Sequence, residues 1–435
     1  MNLFKRLRPT CPCDTAFFFN LVNGSGPVVI VGAGISGLAC ANTLQEAGRP
    51  FLLLEKSDAP GGRIATDYYE GFKLDRGFQV LLTAYPEAEK ALDYPSLKLR
   101  NFYNGSRVWF QGRFHTLADP FRNPIAGIAS IANPIGSFAD KLKVGLLRTG
   151  LISTKSIPHE VPTIQALDQL GFSNSMIERF WRPFMGGVFL ENDLHTSVRK
   201  FEETFRFFSK GAIALPEDGI GAIPRQIAGR LPPKSIRYQE QVVKVSQNSV
   251  SLRSGEKIQA SAVVLATDFE QASLLTNSKG IERDWNSVEC LYFKIPQKWL
   301  PENKPILLLN GEGEGPVNNL SFLSNLTSCA PSGWALASAT ILGRRGESDG
   351  TLVEEAITQM KRWFGPEVRY WELLRRYSVS KAIPVFQKKE SLHPLIDNIF
   401  RCGDYMGTPS IDSALKSGRE AAELILNSKL IPTRE

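Results

Sequence analysis

Cysteine is scarce and scattered: six in 435 residues, at positions 11, 13, 40, 290, 329 and 402. No CxxC pair occurs, so neither a disulfide framework nor a zinc cluster is expected. Histidine is scarcer still. His115, His159, His195 and His393 show no HExxH or HxxxH spacing, and no metal is expected. No uninterrupted apolar run reaches the roughly 18 residues of a spanning helix. Charge of one sign is also in short supply, since 51 Lys+Arg against 44 Asp+Glu leave only +7. Beyond the N-terminus no basic run concentrates that surplus, which argues against a nucleic-acid partner. Glycine and proline, 36 and 27 residues, are too few and too evenly spread for a collagen-like or low-complexity chain. With 43% hydrophobic and 22% charged residues, the chain is not a mostly disordered one either. At roughly 150 residues per domain the length allows about three units, or two with one interrupted by the other.

The first 26 residues form a leader. MNLFKRLRPT is basic, and AFFFNLV follows after Cys-Pro-Cys-Asp. Its apolar core is short and broken and lacks a small-x-small cleavage site, so a disordered or membrane-touching leader is the preferred expectation over a signal or transit segment. The compartment stays open between cytoplasm and plastid, with membrane association as a further expectation.

Strong patterning begins after Pro27. VVIV over 28–31 is a β-branched run without a polar residue, as a strand buried on both faces of a parallel sheet requires. Gly32-Ala33-Gly34-Ile35-Ser36-Gly37 follows, then a helix pattern from Leu38 to Ala47 stopped by Gly48. FLLL over 51–54 is the next strand, with Glu55 and Lys56 at its end. A lone G-x-G-x-x-G is weak. Here the context is complete: strand, glycines, helix, strand and terminal acid. Gly32 makes the tight turn, Gly34 lets backbone approach a pyrophosphate, and Gly37 lets helix pack on strand. The free N–H groups and positive dipole at the helix start suit phosphate. Glu55 can accept hydrogen bonds from a ribose diol and would repel a 2′-phosphate. The fingerprint alone serves FAD and NAD equally. A second glycine cluster, Gly311-Glu-Gly313-Glu-Gly315, lacks the strand-to-helix context.

Downstream, Gly61-Gly62-Arg63 allows close backbone approach, and Arg63 can reach phosphate or ring oxygens. Asp75-Arg76-Gly77-Phe78 offers another tight approach. The middle of the chain, from about 102 to 215, mixes aromatics, prolines and amphipathic stretches; AGIASIANPIGSFADKLKVGLL over 126–147 is apolar with two lysines. Strand patterns return at 235–245, 249–253 and 262–266, then at 288–295, 306–309, 320–326 and 334–342. A helix is expected over 354–364. Near the end, Gly403-Asp404 closes a strand, and Ser410 fits the N-cap of a helix to 427 whose apolar side carries Ile411, Ala414 and Gly418. Asp412 suits its first turn. Such a helix start can aim N–H groups at the N1–O2 edge of a flavin.

Together Gly32, Gly34 and Gly37, then Glu55, Gly61-Gly62-Arg63 and the terminal Gly403-Asp404 with Ile411-Asp412-Ser413-Ala414 resemble the flavin-containing amine oxidase superfamily. That superfamily includes monoamine oxidases, protoporphyrinogen oxidase, and phytoene desaturases with carotenoid isomerases. The resemblance implies an α/β chain: a Rossmann-like FAD-binding domain assembled from 27–95, 216–285 and 380–435, with an inserted mixed-sheet and helical substrate domain from 96–215 and 286–379. It implies FAD held by Gly32, Ala33, Gly34, Ser36, Gly37, Glu55, Lys56, Gly62, Arg63, Gly77, Val243, Gly403, Asp404, Ser410, Ile411 and Ala414. Val242 or Val243 is the adenine-side contact, and Val243 is the choice carried forward. The segment 216–224 is similar to the family's P-x-G-G entry into its middle piece. RFWRPFMGGVFL over 179–190 resembles desaturase-like and protoporphyrinogen-oxidase-like members, where the region shapes the substrate cavity; a packed aromatic core is the plainer alternative. No cysteine falls within 378–386, so FAD is expected to be non-covalent.

The function implied is hydride transfer from a C–H bond of a hydrophobic substrate, a polyene, isoprenoid or tetrapyrrole, by a desaturase, oxidase or isomerase. Oxygen or a quinone is the expected acceptor, and contact with a membrane surface is expected through the 121–157 stretch. Two alternatives stay open: a soluble amine oxidase releasing imine and hydrogen peroxide, and a flavin-binding assembly protein with structural FAD. No catalytic side chain stands in a readable motif.

Overall fold

The computed structural model describes residues 26–131, 133–277, 283–343, 349–385 and 398–428. Apart from Gly26, the expected leader lies outside them.

Val28–Val31 sits at the middle of a five-stranded parallel sheet. The order is Ile236–Arg237, Phe51–Leu54, Val28–Val31, Ala262–Leu265, Ile399–Arg401. Its apolar run has the physical origin the sequence suggests, because alternate residues point into two different layers. Val28 and Ile30 pack with Leu38 and Leu44 of the helix Ile35–Glu46. Val29 and Val31 pack with Val242, Val245 and Val250 on the opposite side. That second layer is a small antiparallel sheet of Val242–Ser246, Ser249–Leu252 and Lys257–Gln259.

All five strands run the same way, so Gly32, Glu55, Ala266 and Cys402 emerge along one edge. Ligands of open parallel sheets bind outside that edge. Two glycines set the helices above it. A Cβ at Gly37 would overlap the carbonyl oxygen of Gly32, and one at Gly418 would overlap that of Ser36. The helix Ile411–Asn427 therefore crosses Ile35–Glu46 almost backbone to backbone.

A second, seven-stranded mixed sheet has the order Glu372–Pro384, Trp285–Pro296, Trp334–Leu342, Val317–Phe322, Leu307–Asn310, Gly105–Phe110, Arg113–Ala118. The helix Asp349–Phe364 covers one face through Leu352, Ala356, Met360 and Trp363. Helices between 138 and 210 share a core of their own around Trp181 and Phe201. Among the described residues no helix is long and apolar enough to cross a membrane.

Three elements depart from the sequence expectation. The stretch 235–245 is not one strand: Ile236–Arg237 joins the parallel sheet, Gln239 turns with φ +59°, and Val242–Ser246 starts the antiparallel one. The hairpin Gly105–Phe110 and Arg113–Ala118 turns through Gln111 and Gly112, both at positive φ, and extends the large sheet. Glu372–Pro384 is a 13-residue strand with almost no buried side chain. As an edge strand it lacks the apolar pattern that announces a central one.

Candidate functional site

A cavity of about 1250 Å³ starts at the carboxyl edge of the parallel sheet, and its lining reaches the exposed Phe121, Phe138, Leu142 and Leu151. Its deep end is built on the glycine turn. Gly32 has φ +106°, a conformation that side chains rarely adopt, and a Cβ there would meet the Ala266 carbonyl oxygen at 2.9 Å. Gly34 lines the cavity, and no protein atom lies within 4 Å of where its Cβ would be. Gly62, at φ +61°, faces Gly34 across the same space; a Cβ on it would be 3.7 Å from the Gly34 Cα. Gly77 is likewise open. These positions form a backbone-walled cradle that any side chain would partly fill.

Glu55 is buried at the end of its strand. One carboxylate oxygen accepts from the Ala33 N–H at 2.7 Å, and the other accepts from the Ser57 N–H at 2.9 Å. A carboxylate has about four acceptor sites, so the group is both fixed in place and able to accept from hydroxyls in the cavity it lines.

Arg63 and Asp404 are brought together from opposite ends of the chain. The guanidinium donates to both carboxylate oxygens, at 2.9 and 2.6 Å, and also to the Ala382 carbonyl at 3.0 Å. It lies over the Trp285 ring at 5.3 Å. Burial opposes its charge, and Asp404 more than offsets that, raising the Arg63 pKa. The structure thus shows Arg63 bound to another expected site residue rather than projecting alone. Both line the cavity, so the fork can orient the carboxylate toward a polyol.

Gly403, Ser410, Ile411 and Ala414 line the same wall. The Gly403 N–H donates to Ser417 Oγ at 3.0 Å, and Ser410 Oγ caps the helix by accepting from the Ser413 N–H at 3.0 Å. Asp412 does something else. Its carboxylate turns away and accepts from the N–H groups of Glu87 and Ala88, at 2.7 and 3.2 Å, at the start of the helix Pro86–Ala91. Burial raises its pKa.

Of the remaining expected residues, Ser36 and Lys56 line the cavity. Ala33 contributes its N–H to Glu55, and Gly37 serves the packing described above. Of the two residues expected at the adenine side, Val242 lines the cavity and Val243 does not. Strand alternation buries Val242 on the cavity wall and leaves Val243 49% exposed to solvent.

The helix Val198–Lys210 brings in residues that the sequence reading missed: Lys200, Thr204, Phe205 and Phe208. Lys200 is buried on the cavity wall, and its Nζ donates to the carbonyl of Pro409, the residue before the Ser410 cap. Burial lowers its pKa to about 8, opposed by Glu203 and Asp404. Its signal was present, since Lys200, Thr204 and Phe208 recur at four-residue spacing on one helix face.

The outer arm is apolar. Phe180 stacks on Phe184 at 5.3 Å, and Phe184 meets Phe208 at 5.2 Å. RFWRPFMGGVFL therefore divides by helical phase: Phe180, Phe184, Gly187 and Val188 face the cavity, while Trp181, Met185 and Phe189 belong to the core. Arg148 pairs with Asp119, which Arg122 also approaches at 3.7 Å. No cysteine is among the described lining residues. The buried Cys402 thiol, pushed up to about 12 by desolvation, lies behind the wall, so nothing described offers a thioether to a flavin. No metal-binding group of His, Cys, Asp or Glu exists among the described residues.

An open glycine cradle, a helix start, a fixed acid at a strand end and an Arg–Asp fork in one continuous cavity fit an extended dinucleotide. Comparison with known proteins agrees. The chain is 49% identical over 55 residues to a phytoene desaturase (lycopene-forming) of Pantoea ananas, which is 13% of this chain and 11% of that protein. It is 26% identical over 168 residues to a coproporphyrinogen III oxidase of Propionibacterium freudenreichii subsp. freudenreichii, 37% of this chain and 31% of that one. These matches span well under half of either relative. A solved putrescine oxidase shares the fold at TM-score 0.70 and 16% identity, over 93% of this chain and 99% of the other. The model of the family described as flavin containing amine oxidoreductase matches residues 35–426. The chain belongs to that family of flavin-containing oxidoreductases.

Proposed function

We propose that the protein oxidises or isomerises a hydrophobic substrate, a polyene, isoprenoid or tetrapyrrole, held in the outer arm of the cavity. Bound FAD supplies the hydride acceptor. Gly32, Gly34, Ser36 and the start of the helix Ile35–Glu46 would receive its phosphates, Glu55 its adenosine ribose, Val242 its adenine side, and Asp404 with the Ser410–Ala414 segment its flavin side. The chain's other residues bind and orient. Phe180, Phe184, Phe205 and Phe208 present flat apolar walls that hold a long conjugated or branched body and exclude water.

The observation that carries this reading is the charge of the arm. Asp119 is its carboxylate among the described lining residues, and two arginines already hold it. A protonated amine would enter past Arg122, Lys141 and Arg148 with no free counter-charge. That weighs against a soluble amine oxidase. A membrane-facing mouth follows the same logic: Phe121, Phe138, Leu142 and Leu151 are 55%, 63%, 55% and 75% exposed, and basic residues stand beside them. An apolar substrate could then pass from lipid to the arm without crossing water.

Purified protein should be yellow and release FAD on denaturation, and Gly34→Glu should abolish binding by filling the cradle. Anaerobic mixing with carotenoids or porphyrinogens should bleach the flavin, and polyamines should not. Bleaching by polyamines alone would replace this reading with the amine one. Retained FAD with no bleaching by either class would favour a structural flavin. Reoxidation by oxygen against a quinone identifies the acceptor.

A further inference from the structure

Lys200 is a buried cation on the cavity wall. Arg63 is forked to Asp404, and Arg148 is paired with Asp119. Lys200 forms no ion pair among the described residues, although it is 8% exposed and lines the cavity. An ammonium has three donors, and its single described partner is the Pro409 carbonyl. A buried lysine without a carboxylate partner is costly and is retained where its charge acts on something else.

Its anchor shows where that charge acts. Pro409 immediately precedes Ser410, the cap of the terminal helix. The first N–H groups of that helix, at Ile411 and Asp412, have no acceptor within it, and they give this end a partial positive charge. The only first-turn carboxylate that could cancel it, Asp412, is turned toward Glu87 and Ala88. Ser410, Ile411 and Ala414 line the wall beside Lys200. Two positive sources, one a helix end and one a full charge, thus face the same part of the cavity. Glu203 and Asp404 are the acids that act on Lys200 from its own helix and from the Asp404–Met406 turn.

We propose that Lys200 is a positioning residue for the flavin ring's electronics. Its ammonium, held on Pro409, adds to the helix end so that the negative charge of a reduced ring is stabilised there. This rests on the cofactor site above but not on the choice of substrate. Retention of positive charge up to about pH 8 is consistent with it.

Lys200→Gln tests this, because the amide keeps a donor for Pro409 while removing the charge. The full-length variant is loaded with FAD, and its affinity, thermal midpoint and flavin reduction potential against a reference dye at pH 7 are compared with wild type. The expected result is near-wild-type affinity and melting, with the equilibrium ratio of reduced to oxidised flavin falling about tenfold or more. Lys200→Arg should restore most of that ratio. A Lys200→Gln protein with wild-type potential overturns the proposal. So does a potential lowered equally in Lys200→Gln and Lys200→Arg, which would mark a packing role. Should Lys200→Gln fail to fold, Lys200→Met and the arginine variant apply the same criteria. Failure of wild-type protein to bind FAD would instead remove the cofactor assignment on which the proposal stands.

Discussion

Asp75 shows how a single carboxyl is used as a structural pin. It is 4% exposed, accepts from the Thr66 hydroxyl at 2.6 Å and from the Ile220 N–H at 3.0 Å, and so ties the segment around Gly219 to the strand Phe72–Asp75. Burial pushes its pKa from an ordinary 3.8 up to about 6, and those hydrogen bonds pull only part of the way back. The folded state therefore holds the proton more tightly than the unfolded chain. The stability this confers is complete below about pH 4 and is lost as pH rises through about 6. Two pKa units at about 1.4 kcal/mol each make roughly 3 kcal/mol the upper limit of the effect. Asp75→Asn keeps an acceptor for Ile220 and cannot ionise. Relative to wild type, it should gain thermal stability steadily between pH 4 and 6 and hold the gain at pH 7. A difference between the two proteins that does not vary with pH would show that Asp75 does not titrate in this window.

At the scale of elements, the crossing of the glycine helix and the terminal helix decides the site's shape. Alanine at position 418 would gain about 1 kcal/mol of helix propensity over glycine. Its Cβ would also overlap the Ser36 carbonyl oxygen, and overpacking against backbone costs roughly 1–3 kcal/mol. The second effect should win. Gly418→Ala should lower the urea midpoint and weaken FAD binding, because pushing the helices apart moves the Ser410 start away from the glycine turn. Unchanged stability with unchanged affinity would mean the crossing relaxes freely. The elements that meet there were legible from residue spacing: the strands at 28–31 and 51–54, the glycine helix and the capped terminal helix all carry local signals, whereas the crossing itself was not read. What was not legible depended on partners distant in sequence. Glu372–Pro384 is patterned by its place at an edge. The Arg63–Asp404 fork joins residues 341 apart. The phase of Val242 against Val243 follows from a turn at Gln239 that lengthens the chain between two sheets. Lys200 was missed because a lysine next to Arg199 reads as the polar side of an amphipathic helix until the cavity behind it is known.

For the whole molecule, the parallel sheet fixes the cofactor end and the helical layer sets what can reach it. The helices Pro124–Ile131 and Phe138–Thr149 carry the mouth. Phe138 and Leu142, one turn apart, are mostly in solvent, so the fold leaves most of their apolar surface uncovered. Exposed apolar residues at a tunnel mouth, with Lys141 and Arg148 beside them, match the pattern of a surface that rests at a lipid interface. Each large side chain contributes about 1.5–3 kcal/mol when fully transferred from water, and nearby cations add about 1 kcal/mol each on anionic lipid. Phe138→Glu with Leu142→Glu should therefore remove most co-sedimentation with anionic vesicles while leaving the thermal midpoint and FAD content unchanged. Raising salt on wild-type protein should weaken recovery only in part, because the apolar contribution is not screened. Equal recovery of wild type and the double variant would remove the membrane from the mechanism. The arm would then have to be filled from solution, by a carrier or by a substrate soluble enough to diffuse.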